Sequence, residues 1–475
     1  MEHSPLLLNN KKNVLELRQN QIEPVTIGIE FFKIPKMAPS IIVAPTAFGK
    51  SIVIAHIARG IEEKVLVLQP SKELLEQNYN KFVYFGGKAS IYSASMGSKE
   101  LGDVTYATIG SIVSIGYKFR ELGITKVIID ECDRYPRDKG GMLRRFLDSM
   151  KATHVLGLTA TPLKLQSNMS ETGPYSKLVM LTNKSKHGIF FKHIIHVAQI
   201  QDIVKLGFWT PLVYQSYDFD TGALVFNSSG AEYTNDSIAR AYENQNLETK
   251  IVKKIHEMHD RKSILIAVPT IAQATQLASK IPSAAVVHGE TPTTERNRII
   301  EEFRNQQIRV IVQVNVLTVG FDYPELDCLI TARPTASISW WYQFVGRGTR
   351  IHNNKKDCLV VDFVGSLERF GKVEDLYYKE DEDGTWELYG ENKKKITGIP
   401  IHEIGLHLEG GVNLAEQRNE EGEIQKVYMT FGKYKNKPVA SIPPYYRKWL
   451  LDNITWNPYN QKIKEEIIRL ETIKK

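Results

Sequence analysis

Cysteine is scarce: three residues in 475, Cys132, Cys328 and Cys358, scattered and in no metal-ligand spacing. A disulfide framework and a thiolate zinc site are therefore not expected, and a reducing compartment suits the chain. No run of about eighteen apolar residues is present, so no membrane-spanning helix is expected. The opening Met1-Glu-His-Ser-Pro-Leu-Leu-Leu lacks a basic flank and a long enough apolar run to read as a secretion signal. No internal repeat is evident beyond two stretches that alternate in the same way.

What is there is a chain of 475 residues, too long for one core, so two or three domains are expected. Its 42% hydrophobic and 24% charged content is that of an ordinary globular protein. The net charge of +7 is unevenly laid out. Residues 1–373 carry 45 Lys/Arg and 36 Asp/Glu (+9), residues 374–425 carry 5 and 14 (−9), and residues 426–475 carry 11 and 4 (+7). A basic body and tail suit a polyanionic partner, and an unevenly charged solvated surface explains the same counts.

Short apolar runs at Ser40–Val43, Val65–Leu68, Val104–Ala107, Lys126–Ile129 and His154–Leu158 alternate with helical stretches, one of them capped by Ser71. A second alternation runs through Ser263–Val268, Ala284–His288, Val310–Val314, Cys328–Thr331 and Cys358–Asp362, with helices over Ile271–Lys280 and Thr294–Asn305. Such alternation is that of doubly wound α/β domains. The expected organisation is a first lobe over 1–195, a connector over 196–248 and a second lobe over 249–373. An acidic connector over 374–425 follows, with a hairpin turning at Asp383-Gly384. A small basic module over 426–475 closes with an amphipathic helix near Gln461–Lys475. In that module Phe431, Tyr434, Tyr446 and Trp449 either form a small core or stack on bases beside the lysines.

The run Ala44-Pro-Thr-Ala-Phe-Gly-Lys-Ser51 follows the buried strand Ser40–Val43 and opens a helix near Lys50. It reads as a phosphate-binding loop, although Ala44 replaces the first glycine and Ala47-Phe48 stands where glycine is usual. Loop N–H groups and the helix N-terminus would cradle phosphates. Lys50 would reach the β/γ-phosphates and Ser51 would offer its hydroxyl to Mg²⁺. Asp130-Glu-Cys-Asp133 ends the strand Lys126–Ile129, expected beside the loop's own strand. Asp130 would anchor Mg²⁺ and Glu131 would act as general base on the attacking water. Thr159 and Thr161 follow another strand, and their hydroxyls would reach the acidic group. In Gln343-Phe-Val-Gly-Arg-Gly-Thr-Arg350, Arg347 and Arg350 are three apart and, on a helical turn, would share one face and reach a γ-phosphate across a cleft.

Taken in chain order, these motifs resemble those of the superfamily 2 helicases. The resemblance implies two tandem RecA-like parallel-sheet lobes with ATP between them, plus the small basic C-terminal module. Leu17-Arg-Gln-Asn-Gln21 resembles the glutamine motif that reads adenine, which implies Gln21. Ala44, Pro45, Thr46, Ala47, Phe48, Gly49, Lys50 and Ser51 stand as motif I. Gln69-Pro-Ser-Lys-Glu-Leu74 resembles motif Ia and Ala107-Thr-Ile-Gly-Ser111 motif Ib, implying Pro70, Ser71 and Thr108 at a nucleic-acid strand. Val286-Val-His-Gly-Glu-Thr291 resembles the strand-contacting stretch of the second lobe, implying His288 and Gly289. Asn315-Val-Leu-Thr-Val-Gly-Phe-Asp-Tyr-Pro324 resembles motif V, implying Thr318 on nucleic acid and Gly320 and Asp322 on ATP. Gln343, Arg347 and Arg350 stand as motif VI and are implied in catalysis.

The wording Leu156-Gly-Leu-Thr-Ala-Thr-Pro162 and Gln343-x-x-Gly-Arg-Gly-x-Arg350 looks most like RadD-type and phage recombination-repair helicases. Such proteins carry a Cys-rich zinc region that this chain lacks. The implied cofactors are ATP and Mg²⁺, and the implied partner is single-stranded or branched DNA. The expected setting is the cytoplasm, the host's for a phage chain. The expected activity is a DNA helicase or translocase in recombination, repair or replication. An RNA helicase and a duplex translocase share every motif. A DNA-binding protein with a decayed ATP site is disfavoured by the intact Lys50, Ser51, Asp130, Glu131, Arg347 and Arg350.

Overall fold

Strands that are buried on both faces read as unbroken apolar runs, and such runs supply most of both sheets. The computed structural model describes residues 16–135, 141–170, 173–184, 188–316, 323–404, 416–418, 424–427, 429, 437–453 and 461–472. They form two compact units, one ending at His402 and one beginning at Glu403.

The first lobe of unit one carries β1 (Ser40–Val43), β2 (Val65–Gln69), β3 (Ser90–Ser93), β4 (Ser98–Lys99), β5 (Val104–Thr108), β6 (Lys126–Asp130) and β7 (His154–Thr159). A two-stranded ribbon, β8 (Leu163–Ser170) with β9 (Gly173–Met180), comes next, then β10 (His193–Val197). The sheet order is β10-β1-β7-β6-β2-β5-β3-β4, parallel throughout except for the β3–β4 pair. Every residue of β1, β2, β6 and β7 is buried, as a sheet covered on both faces requires.

The order corrects one expectation. Asp130 does not end the strand beside β1, because β7 lies between β1 and β6. One edge of the sheet therefore presents, side by side, the phosphate loop after β1 and the strand-ending residues Thr159 of β7, Asp130 of β6, Gln69 of β2 and Thr108 of β5. Parallel strands all end at one edge, so one lip of the sheet collects the residues of several motifs.

The second lobe holds β11 (Leu212–Ser216), β12 (Ile264–Ala267), β13 (Ala284–His288), β14 (Val310–Val314), β15 (Cys328–Thr331) and β16 (Cys358–Asp362), ordered β11-β16-β15-β12-β14-β13 and all parallel. Its core joins Ile264, Ile266, Val310, Val312, Ile330 and Val361 to the helices Leu247–Glu257 and Ile271–Ser279. β11 and the helix Asn235–Asn244 fall within the stretch expected as connector.

The acidic stretch begins by packing on both lobes. Its hairpin, β17 (Tyr377–Glu380) with β18 (Trp386–Tyr389), turns through a five-residue loop with Gly384 at φ 72°. The Tyr377 and Tyr389 rings stack across it at 5.4 Å. Tyr378 exchanges two hydrogen bonds with Gln199 (2.6 and 3.1 Å), and its buried hydroxyl donates to the Ala160 carbonyl at 3.3 Å. On the other side, the Trp341 indole donates to the Gly371 carbonyl at 3.1 Å and the Tyr214 hydroxyl to Glu374 at 2.6 Å. Further on, the Gly398 amide donates to the Leu178 carbonyl at 2.7 Å.

Unit two is small. It pairs β19 (Glu416–Arg418) with β20 (Ile424–Val427) and adds the helices Pro444–Asn453 and Gln461–Thr472. Its core is Val427, Met429, Val439, Ile442, Leu450, Ile463 and Ile467, with Tyr446 packed against it. Trp449 is 44% exposed and Tyr445 69%, so neither belongs to that core. Phe431 and Tyr434 lie outside the described residues. Among the described residues no helix is long and apolar enough to cross a membrane.

Candidate active site

The helix Lys50–Gly60 begins at Gly49, with no side-chain cap and no acidic residue in its first turn. Its first N–H groups are therefore left for a ligand, and the positive end of the helix favours an anion there. Two left-handed residues shape the loop, Ala47 at φ 57° and Gly49 at φ 90°. At Gly49 any side chain is barred twice: the backbone is left-handed, and a Cβ would sit 2.6 Å from Gln21 Nε2. Ala47 takes the left-handed region while half-buried, and the Phe48 side chain is buried in the lobe. Gln21, fully buried, donates from Nε2 to the Phe48 carbonyl at 2.6 Å and accepts from the Arg18 amide at 3.0 Å. That ties the first helix to the loop.

Lys50 Nζ lies 3.2 Å from Glu131 Oε1, both largely buried. Asp130 is fully buried, accepts from the Glu131 amide at 3.0 Å and from Asn78 Nδ2 at 3.0 Å. Burial, then the Glu131 charge, pushes its pKa up against the pull of Lys50. Asp133 is raised by the same two causes and takes hydrogen bonds from the Thr159 and Thr161 hydroxyls at 2.5 and 3.3 Å. The reach of both threonines to the acidic group is thus seen at Asp133, three residues beyond Asp130. Asp130 and Asp133 are thus two buried carboxylates raised by desolvation and by the charge of Glu131 between them in sequence, and oxygen donors of this kind, with the Ser51 hydroxyl, are those that could hold a divalent cation. Lys81, which sequence reading missed, donates to Ser51 Oγ at 3.4 Å.

Across the seam, the helix Ile338–Val345 ends before the two arginines. The expected shared helical face is corrected: Arg347 and Arg350 lie in and after the turn that follows, where Gly346 and Gly348 flank Arg347. Gly346 is required by proximity, since a Cβ there would stand 2.5 Å from Thr46 Oγ1 of the phosphate loop. The Tyr342 hydroxyl meets the Thr46 amide at 3.1 Å, and the Trp209 indole donates to the Thr46 carbonyl at 3.0 Å. Both backbone polar groups of one loop residue, Thr46, are therefore held from outside the first lobe. Half-buried Gln343 lies in the helix itself.

The turn has its own supports. Thr210 donates from its amide to the Thr349 carbonyl at 2.8 Å and from its hydroxyl to the Arg350 carbonyl at 2.7 Å. Lys355, 9% exposed, donates to the carbonyls of Gly348, Arg350 and Pro324 at 2.7, 2.9 and 3.2 Å. Burial lowers its pKa to about 8. No sequence motif contains Trp209, Thr210 or Lys355. Replacing Lys355 with Met should cost about 2–4 kcal/mol, since one buried and two part-buried carbonyls lose a charged donor. Urea unfolding followed by circular dichroism measures this, and an unchanged midpoint would show that the carbonyls find other donors.

The residues expected on nucleic acid occupy strand ends. Pro70 and Ser71 follow β2, and Ser71 Oγ caps the next helix at the Leu74 amide, 3.3 Å away. Thr108 ends β5 beside them and meets Ser111 Oγ at 3.0 Å. His288 ends β13, with exposed Gly289 after it, and Arg296 reaches the His288 carbonyl at 3.4 Å. Thr318, Gly320 and Asp322 lie outside the described residues.

With this geometry in place, comparison with known proteins adds a history. The family described as "Type III restriction enzyme, res subunit" matches residues 14–164, and "Helicase conserved C-terminal domain" matches residues 247–352. A Schizosaccharomyces pombe protein provisionally named a mitochondrial ATP-dependent helicase, irc3, is 25% identical over 382 residues, covering 76% of this chain. The chain spans 59% of that relative's length. The "DNA 3'-5' translocase XPB2" of Sulfurisphaera tokodaii is 25% identical over 389 residues, 74% of this chain and 82% of its own. Among solved structures, a fragment assigned to the HsdR subunit of a type I restriction enzyme from Vibrio vulnificus YJ016 aligns with TM-score 0.55 at 18% identity. It covers 80% of this chain and 70% of its own, and bears on the fold alone.

Proposed function

We propose, from the premise that this chain belongs to the superfamily 2 helicases, that it is an ATP-driven motor on DNA. The observation that carries the reading is the meeting of the two lobes at Thr46, where the arginine turn and Tyr342 of the second lobe close on the phosphate loop of the first. Bound between the lobes, Mg²⁺–ATP would supply a phosphoryl group whose transfer to water releases the free energy of each step. Lys50 and the uncapped helix N-terminus would hold the phosphates, while Ser51 and Asp130 would hold the metal. Glu131, beside Lys50, would orient and deprotonate water, and Arg347 and Arg350 would stabilise charge developing on the transferred group. Thr159 and Thr161, bonded to Asp133, would carry the change at the acids to β7, which Thr159 ends.

Pro70, Ser71 and Thr108 on one lobe, with His288 and Thr318 on the other, would grip one strand's backbone in turn. Such contacts are independent of sequence and weaken with salt. DNA is favoured over RNA by the relative named as a DNA translocase. Work on branched or single-stranded DNA in recombination, repair or replication, in the cytoplasm, fits such a motor. ATP hydrolysis measured with and without single-stranded DNA, forked DNA and RNA tests the reading. Stimulation on the order of 10-fold or more by DNA is expected, with a decline at high salt. Stimulation by RNA alone would replace DNA with RNA as the track.

A further inference from the structure

The helix Lys72–Tyr84 turns Leu75, Asn78 and Phe82 toward the sheet. Two of these three are ordinary core residues. Asparagine between them is costly, since a buried amide must replace every hydrogen bond it had in water. Asn78 is 5% exposed, and its Nδ2 divides its two protons between Gln69 Oε1 and Asp130 Oδ2, each at 3.0 Å. The two acceptors sit at the ends of neighbouring strands β2 and β6. Gln69 is itself fully buried and leads directly into Pro70-Ser71. Ser71 in turn caps the helix on which Asn78 stands. A closed circuit results: strand end, cap, helix, amide, and back to the same strand end, with Asp130 attached at one point.

We propose that Asn78 is a positioning residue that couples the grip of Pro70-Ser71 on nucleic acid to the placement of the Asp130 carboxylate. A phosphate backbone engaging Ser71 moves the helix N-terminus it caps, and Asn78 rides two turns further along the same rigid helix. Its amide can follow only by keeping or breaking the bond to Asp130, so the two sites share one two-state element. This rests on the motor reading above.

The test uses the full chain with Asn78→Leu, which keeps the branched shape and removes the donor, and Gln69→Met, which removes the acceptor and leaves Asn78 in place. Two quantities are read: ATP hydrolysis with and without single-stranded DNA, and DNA affinity by fluorescence anisotropy with and without a non-hydrolysable ATP analogue. In both variants the ratio of DNA-stimulated to basal hydrolysis should fall on the order of 10-fold. By linkage, the change in DNA affinity on adding the analogue should shrink by a similar factor. Because one circuit is broken at two places, the double variant should be no worse than either single one. An unchanged stimulation ratio in both variants overturns the proposal. So does an equal fall in basal and stimulated rates, which is what a merely structural amide would give. A wild-type protein that DNA fails to stimulate overturns the motor reading itself, before any variant is compared.

Discussion

Lys50→Ala should lower DNA-stimulated ATP hydrolysis by at least about 100-fold, some 2.7 kcal/mol of transition-state stabilisation. Lys50 is the cation facing Glu131 at 3.2 Å, in a pocket where Asp130 and Asp133 are already pushed toward protonation by burial and by Glu131. Removing it would take away the proposed phosphate ligand and leave the largely buried Glu131 carboxylate without the cation facing it. Nucleotide affinity should fall with turnover, while DNA affinity without nucleotide should hold, because Pro70, Ser71 and Thr108 are untouched. Turnover and fluorescent-nucleotide titration separate the two effects. A Lys50→Ala protein that still hydrolyses ATP on DNA would remove the site assignment.

Arg347→Ala should behave differently, losing on the order of 1,000-fold in kcat while binding nucleotide within a few-fold of the parent. The turn carrying Arg347 rests against Thr46, and its carbonyls are fixed by Thr210 and Lys355. With its backbone so fixed, Arg347 in the proposed role would act on charge that develops only in the transition state. Arg350→Ala should fall in the same class. Single-turnover kinetics beside equilibrium nucleotide binding make the distinction. If affinity and kcat fell together, both arginines would be ground-state ligands.

Much of the first lobe was legible because its central strands are apolar from end to end and each reactive residue follows one directly, as Asp130 follows Val127-Ile-Ile129. Edge strands were not. β10 reads His193-Ile-Ile-His-Val197 and is mostly half-exposed, and β11 has no fully buried residue, so neither carries the apolar run of a central strand. In the ribbon, β8 sets Leu163, Leu165 and Met169 between polar neighbours and so lacks an unbroken apolar run as well. Strand adjacency was misjudged at Asp130 because order in a sheet is set by crossovers that leave no mark in local pattern. Trp209, Thr210 and Lys355 were missed on physical grounds too. Trp209 and Thr210 bond across 163 and 140 positions of chain, and Lys355 serves backbone carbonyls, which any sequence supplies.

The chain crosses the seam between the lobes twice. It passes into the second lobe through Trp209-Thr210, and returns along the segment that leaves Gly371 and reaches Gln199, Ala160 and Leu178. A body joined to another at one point swings freely about three axes; one joined at two separated points turns cheaply about only the line through them, as a door does. In the proposed motor, two such crossings would limit the lobes to turning about the line through them and would keep them together whichever one held the nucleic acid.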